Sequence, residues 1–154
     1  MTSVMTPVQL QELLFKNIPI CSKLGIEIKS VTTTDILVQV ALEPNLNHKG
    51  TAFGGSQYAV ATAACYGLFL YVLQANGEKT QDLVIAEGTM EYKKPISSDF
   101  IITSHWNLES QDLFFKTLAR KQRAKVKLEA RLEFLSTLGS SYEGFFIASN
   151  RISN

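Results

Sequence analysis

Residues 47–73 read NHKGTAFGGSQYAVATAACYGLFLYVL and join two segments of opposite character. The first is polar and rich in glycine, the composition of a tight loop. The second, residues 58–73, has Thr62 as its only clearly hydrophilic member. A helix that is apolar all round has no face for water and must be enclosed on every side. The Gly54-Gly55 pair stands at its head, where a backbone without Cβ permits close approach. Whatever surrounds this helix decides the fold.

The flanking segments supply the enclosure. LGIEIKSV (24–31) places Leu24, Ile26 and Ile28 on one face, and DILVQVALE (35–43) does the same with Ile36, Val38, Val40 and Leu42. The polar TTTD between them suits a turn. Beyond the helix, residues 76–82 read as loop. LVIAEGTMEYKKP (83–95) then sets Val84, Ala86, Gly88, Met90 and Tyr92 against Glu87, Thr89, Glu91 and Lys93. DFIITSHWNLE (99–109) gives a fourth strand, with His105 pointing outward. KVKLEARLEFL (125–135) alternates most cleanly, with Val126, Leu128, Ala130, Leu132 and Phe134 inward, and YEGFFIAS (142–149) follows a turn at LGSS. Residues 110–124 form the one long irregular segment, with room for a helical turn. Ahead of the strands, residues 8–17 read as a short helix, capped by Thr6, opened by Pro7 and stopped by Pro19.

Six strands with one apolar and one polar face make an antiparallel sheet that is dry on one side only. Curling that sheet around the apolar helix satisfies both, with any uncovered flank closed by a second copy of the chain. This is an α+β class fold of the hotdog type; the alternative is an open sheet with the helix packed across it.

The totals fit one domain spanning residues 1–154. Hydrophobic residues make up 45% and charged residues 19%, which speaks against disorder. A net charge of +1 gives no argument for nucleic acid. Cys21 and Cys65 stand far apart, as small buried residues of a reducing, cytoplasmic compartment. The first twenty residues lack the pattern of a signal peptide. Residues 52–73 carry no charge, and about 20 apolar residues can span a bilayer. Gly54, Gly55, Ser56 and Gln57 interrupt the front of that run, so no membrane is expected. No histidines and carboxylates approach a metal-ligand spacing, so no metal is expected either.

The order Asn47, Gly50, Thr51, Phe53, Gly54, Gly55, Ser56, then an apolar helix, then Tyr92 and Pro95, resembles hotdog-fold acyl-CoA thioesterases. More narrowly, the chain is similar to the thioesterase-like family that also occurs fused behind GNAT-type acetyltransferase domains. IPICSKLGIEI, PNLNHKGTAFGGSQY and RAKVKLEARL carry that similarity, from about Ile18 to Ala148. The acetyltransferase's own glycine loop is absent. The resemblance implies a homo-oligomer, a dimer or a dimer of dimers, that hydrolyses acyl-CoA or another acyl thioester. No cofactor is implied beyond the coenzyme A of the substrate. Gly50, Thr51, Phe53, Gly54 and Tyr58 would line the substrate.

Chemistry gives these residues roles. Thioester hydrolysis puts negative charge on a carbonyl oxygen, and the first turn of a helix offers unpaired N–H donors and about half a unit of positive charge. Gly55 N–H, with Ser56 N–H beside it, is the oxyanion-hole candidate. A purely structural reading makes Gly54-Gly55 a tight entry turn with Ser56 near the cap. Asn47 resembles the loop asparagine that holds water or thioester in related enzymes; otherwise it makes an Asx-turn. Adjacent His48 is a further loop candidate or is simply solvated.

At the helix position where many such enzymes carry an acid, this chain has Thr62. A hydroxyl orients a water or bonds back to a helix carbonyl, but it is a poor base. Glu87, acidic in the resembling family, is the other candidate base, or a surface residue like Glu91. Arg120 and Arg123, within a basic run from Lys116 to Lys127, suit coenzyme A phosphates or a solvated strand face. A protein of the same fold that binds acyl-CoA or another acyl ligand without hydrolysing it is the second reading, favoured by Thr62.

Overall fold

The computed structural model describes residues 4–79 and 82–150. Helix α1 (Pro7–Asn17) starts where expected: Thr6 caps Gln9 N–H, and the Gln9 side chain returns a bond to Thr6 N–H. Pro19 ends this helix and opens a 3-10 turn, Pro19–Lys23. Strands β1 (Ile26–Val31) and β2 (Asp35–Val40) follow, then helix α2 (Gly54–Ala75). The chain continues through β3 (Asp82–Tyr92), β4 (Phe100–His105), α3 (Leu108–Lys121), β5 (Arg123–Phe134) and β6 (Thr137–Ser149). Of the loop expected at 76–82, residues 80 and 81 lie outside the described residues.

The six strands form one antiparallel sheet in the order β1-β2-β4-β5-β6-β3. Its inner face carries Ile36, Val38, Val40, Val126, Leu128, Ala130, Leu132, Tyr142 and Phe146, all buried around α2. Thirteen of the residues of α2 are themselves buried. At 22 residues α2 is long and apolar enough to cross a membrane by length and composition, yet here most of it is buried inside the protein. The sheet wraps the helix; this is the hotdog fold.

Three local expectations are corrected. Residues 108–121 are not irregular but a helix. Asn107 caps it through Ser110 N–H at 2.7 Å, and Gln111, Phe114 and Leu118 form its buried stripe. Leu108 and Glu109, read as the end of a strand, belong to its first turn. The β5–β6 turn is not LGSS but Leu135-Ser136, both with positive φ (48° and 59°), the backbone that right-twisted hairpins favour. Gly139 lies inside β6, where a Cβ would collide with Ile96.

The third correction concerns β3. A bulge at Ala86 shifts the register between Ile85 and Glu87, so the alternation expected across the whole strand breaks in the middle. Gly88 and Met90 oppose the inward Gly144 and Tyr142, as expected, whereas Val84 opposes Ile147 and shares the outer face with Glu87.

Candidate active site

The helix tip is built by its loop. Buried Asn45 donates from Nδ2 to the Leu24 and Ala41 carbonyls, both at 2.8 Å, and its own carbonyl accepts from Phe53 N–H at 2.7 Å. Its Oδ1 has no partner among the described residues. Ala52 N–H donates to the Ile96 carbonyl at 2.9 Å, which ties the loop to the segment after β3. Inside this frame Asn47 makes the Asx-turn. Its Oδ1 accepts from Lys49 N–H (2.9 Å) and Thr51 N–H (3.1 Å), and its Nδ2 donates to Thr51 Oγ1 (2.8 Å). Gly50, at φ 76°, completes the turn in a conformation that few other residues tolerate. His48 is exposed.

The helices differ at their starts. Thr6 caps α1 and Asn107 caps α3, but the Ncap of α2 is Phe53, whose side chain accepts nothing. The first-turn N–H groups of Gly54, Gly55 and Ser56 therefore have no side-chain acceptor among the described residues. Gly55 is exposed. The Phe53 ring stands beside it, 2.6 Å from where a Cβ would be, and is itself 56% exposed. Tyr92 closes the other side: its ring packs on Gly54, and its hydroxyl donates to the Gly54 carbonyl at 2.8 Å. Tyr92 remains 55% exposed.

Behind the tip lie hydroxyls rather than charges. Thr62 Oγ1 bonds the Tyr58 carbonyl at 2.8 Å and lies 3.0 Å from the Tyr142 hydroxyl. The carbonyl can only accept, so the single Thr62 proton goes there and Tyr142 O–H donates to Thr62. Tyr58 and Tyr142 meet edge to face, with centroids 5.4 Å apart. Burial pushes the Tyr142 phenol well above its ordinary range. That of Tyr92 is also raised, by desolvation first and the Tyr58 phenol second.

The structure thus gathers Gly50, Thr51, Phe53, Gly54, Gly55, Ser56 and Tyr58 at one end of α2, with Asn47 in the loop before it and Thr62 one turn behind. Glu87 is not brought to this group. It opposes Phe145 on the outer face of the sheet, with the strand between it and α2. Arg120 and Arg123 are also remote. Tyr92 pairs with Ser140, which pairs with Leu132, whereas Arg123 lies nine residues back along β5, roughly 30 Å away. Within the basic run, Lys116 pairs with Asp112, Lys127 with Glu129, and Lys125 covers the Phe145 ring.

Sequence reading missed Gln57 and the tyrosines' roles. Gln57 is buried; its Nε2 donates to the Ala52 carbonyl (2.9 Å) and its Oε1 accepts from Ser140 Oγ (2.7 Å), pinning the first turn of α2 to β6. Only the polar break before an apolar helix hinted at it.

Solved structures share this fold. A protein of unknown function from Chlorobaculum tepidum TLS matches with a TM-score of 0.87 at 28% identity, over 96% of this chain and 99% of its own. A structure titled a putative thioesterase, from Shewanella oneidensis, gives 0.83 at 26%, over 93% and 96%. A thioesterase from Haemophilus influenzae, at 16% identity and 0.71 over 96% and 92%, shares the fold. The family model described as "Putative thioesterase (yiiD_Cterm)" matches residues 8–150, and the chain belongs to that family.

Proposed function

We propose that the protein hydrolyses an acyl thioester, with acyl-CoA the leading substrate class. The observation that carries this reading is the uncapped start of α2 at Gly54-Gly55, in a chain whose other two α-helices are capped by side chains. The thioester carbonyl would sit against Gly55 N–H, with Ser56 N–H beside it. Water would attack the carbonyl carbon, and the oxygen would gain its charge where the helix dipole is positive. Asn47 serves this site by setting the loop, since its amide is already engaged with Lys49 and Thr51.

A dimer completes the reading. β3 is an edge strand of 11 residues with Val84 (48%) and Ile85 (40%) exposed. An open edge of this length invites pairing with another strand. Two-fold antiparallel pairing of two β3 strands about their middle would set the Asp82 end of one beside the Tyr92 end of the other. The Arg120 and Arg123 corner of the second copy would then approach the helix tip of the first, where coenzyme A phosphates need cations. Two buried, unpaired thiols, Cys21 and Cys65, support a cytoplasmic setting.

The second reading, binding without hydrolysis, draws on Thr62. Its hydroxyl is occupied by Tyr58 and Tyr142, and the carboxylates of Glu87 and Glu91 lie on the opposite face of β3. One experiment separates the two: free-thiol release from a panel of acyl-CoAs, measured alongside their binding. Turnover supports the hydrolase. Tight binding without thiol release supports the carrier.

A further inference from the structure

Gly88 and Gly144 face each other across β3 and β6, both on the inner side of the sheet. Neither has a side chain, so the space between them on that side is open to neighbouring groups. A Cβ on Gly88 would collide with the Tyr58 hydroxyl and stand 3.5 Å from that of Tyr142; a Cβ on Gly144 would be 2.5 Å from the Tyr142 hydroxyl. The gap therefore houses two phenol oxygens. Tyr142 is engaged with Thr62, and Tyr92, at the rim, with the Gly54 carbonyl. The hydroxyl of half-buried Tyr58 has no hydrogen-bond partner among the described residues, although its ring is fixed against Tyr142.

Position gives this idle donor a direction. Tyr58 lies four residues after Gly54 and three after Gly55, so all three share one face of α2, and a helical side chain leans toward the turn before its own Cα. Gly88, without a Cβ, makes room for the phenol oxygen against β3. The Tyr142 hydroxyl shares the space against Gly88 with it, and Tyr92 is close enough to feel it, with Glu87 and Glu91 on the far face of the strand. Such surroundings suit donation to a substrate oxygen, not removal of a proton.

We infer that Tyr58 O–H is a substrate-carbonyl donor, completing with the Gly55 amide the polarisation of an acyl thioester. This rests on the acyl-thioester reading above and assigns that site a side-chain donor beside its backbone amides. The test uses Tyr58→Phe, which keeps the ring contact with Tyr142. It has two readouts: thiol release from butyryl- and octanoyl-CoA, and the infrared stretch of a carbon-13 carbonyl in ketone analogues of these esters, in which a methylene replaces the sulfur. The expected result is a fall in kcat of about 10- to 100-fold with little change in KM, because a donor aimed at developing charge acts in the transition state. The bound carbonyl stretch should move to higher frequency in the variant. Wild-type turnover with an unchanged variant, in both rate and stretch, overturns the role of Tyr58 and leaves the hydrolase standing. Binding without wild-type turnover, with the stretch still shifted by the variant, supports the donor while removing the hydrolase. An analogue that does not bind the wild type, together with no thiol release, overturns both.

Discussion

The two ends of α2 are wrapped by the same sheet and could hardly be more different. Around Phe69, in the later half, Trp106, Phe114 and Phe146 pack with centroids 5.7 to 5.9 Å from it, and Trp106 meets Phe114 edge to face at 5.2 Å. All four are buried. The one polar group of this cluster, Trp106 Nε1, donates to Ser110 Oγ at 3.1 Å. The first two turns instead meet glycines and hydroxyls, and their leading amides stay uncapped. Close packing makes the later half the source of stability. Unfilled hydrogen-bonding capacity makes the first half the place for chemistry. One element about 33 Å long thus divides the two tasks between its ends.

That division can be broken by experiment. The largest effect should follow Phe69→Ala, which opens a cavity among the three remaining rings and should cost about 3–5 kcal/mol in urea unfolding. Material that remains folded should keep its turnover per mole; a specific loss of kcat would show that the two ends are not independent. Next comes Gly55→Val. Phe53, the nearest obstruction, is an exposed side chain able to rotate away, so the variant should fold. Thiol release should drop by at least about 100-fold, the effect of losing an oxyanion donor, and a folded, active variant would remove that role from Gly55. The Arg120→Ala/Arg123→Ala pair should weaken acyl-CoA binding by about 10-fold at low salt, with the difference shrinking as salt rises. Equal affinity at low ionic strength would detach that corner from the site. Smallest should be Thr62→Val, near-isosteric, with a stability loss of about 1 kcal/mol from the released Tyr142 bond. Turnover within about threefold of wild type would mark Thr62 as structural, on the scale where tenfold is 1.4 kcal/mol.

Much of the fold was legible because burial writes itself into period. The strand from Lys125 onward alternates charge and aliphatic residue without a break, and α2 announces its enclosure by having no polar face. The failures share another origin. Helix α3 buries only the narrow stripe Gln111, Phe114 and Leu118, one member of which is polar, so its charged remainder hid the periodicity; Asn107 three residues before Ser110 was the available signal. Gly139 looked like a turn residue, but it is glycine because Ile96 leaves no room for a Cβ, while the true turn uses Leu135 and Ser136. The bulge at Ala86 has no mark in one sequence at all. At the site, the loop and the glycine pair were legible because their chemistry is local. Tyr58 and Tyr92 were named from the motif, but their grouping with Tyr142 was not legible, because the three meet only when β3 and β6 come together over α2.

Cys65 lies near the middle of α2 with no exposed surface, its sulfur 3.6 Å from Ser104 Oγ. Burial lifts its thiol to about 12. The thiolate is the form that attacks an alkylating reagent, so this sulfur stays silent while the sheet is wrapped and becomes reactive only when the strands peel away. The chain therefore carries its own clock for core breathing, and a labelling rate read at this one atom would report how often the wrapping opens.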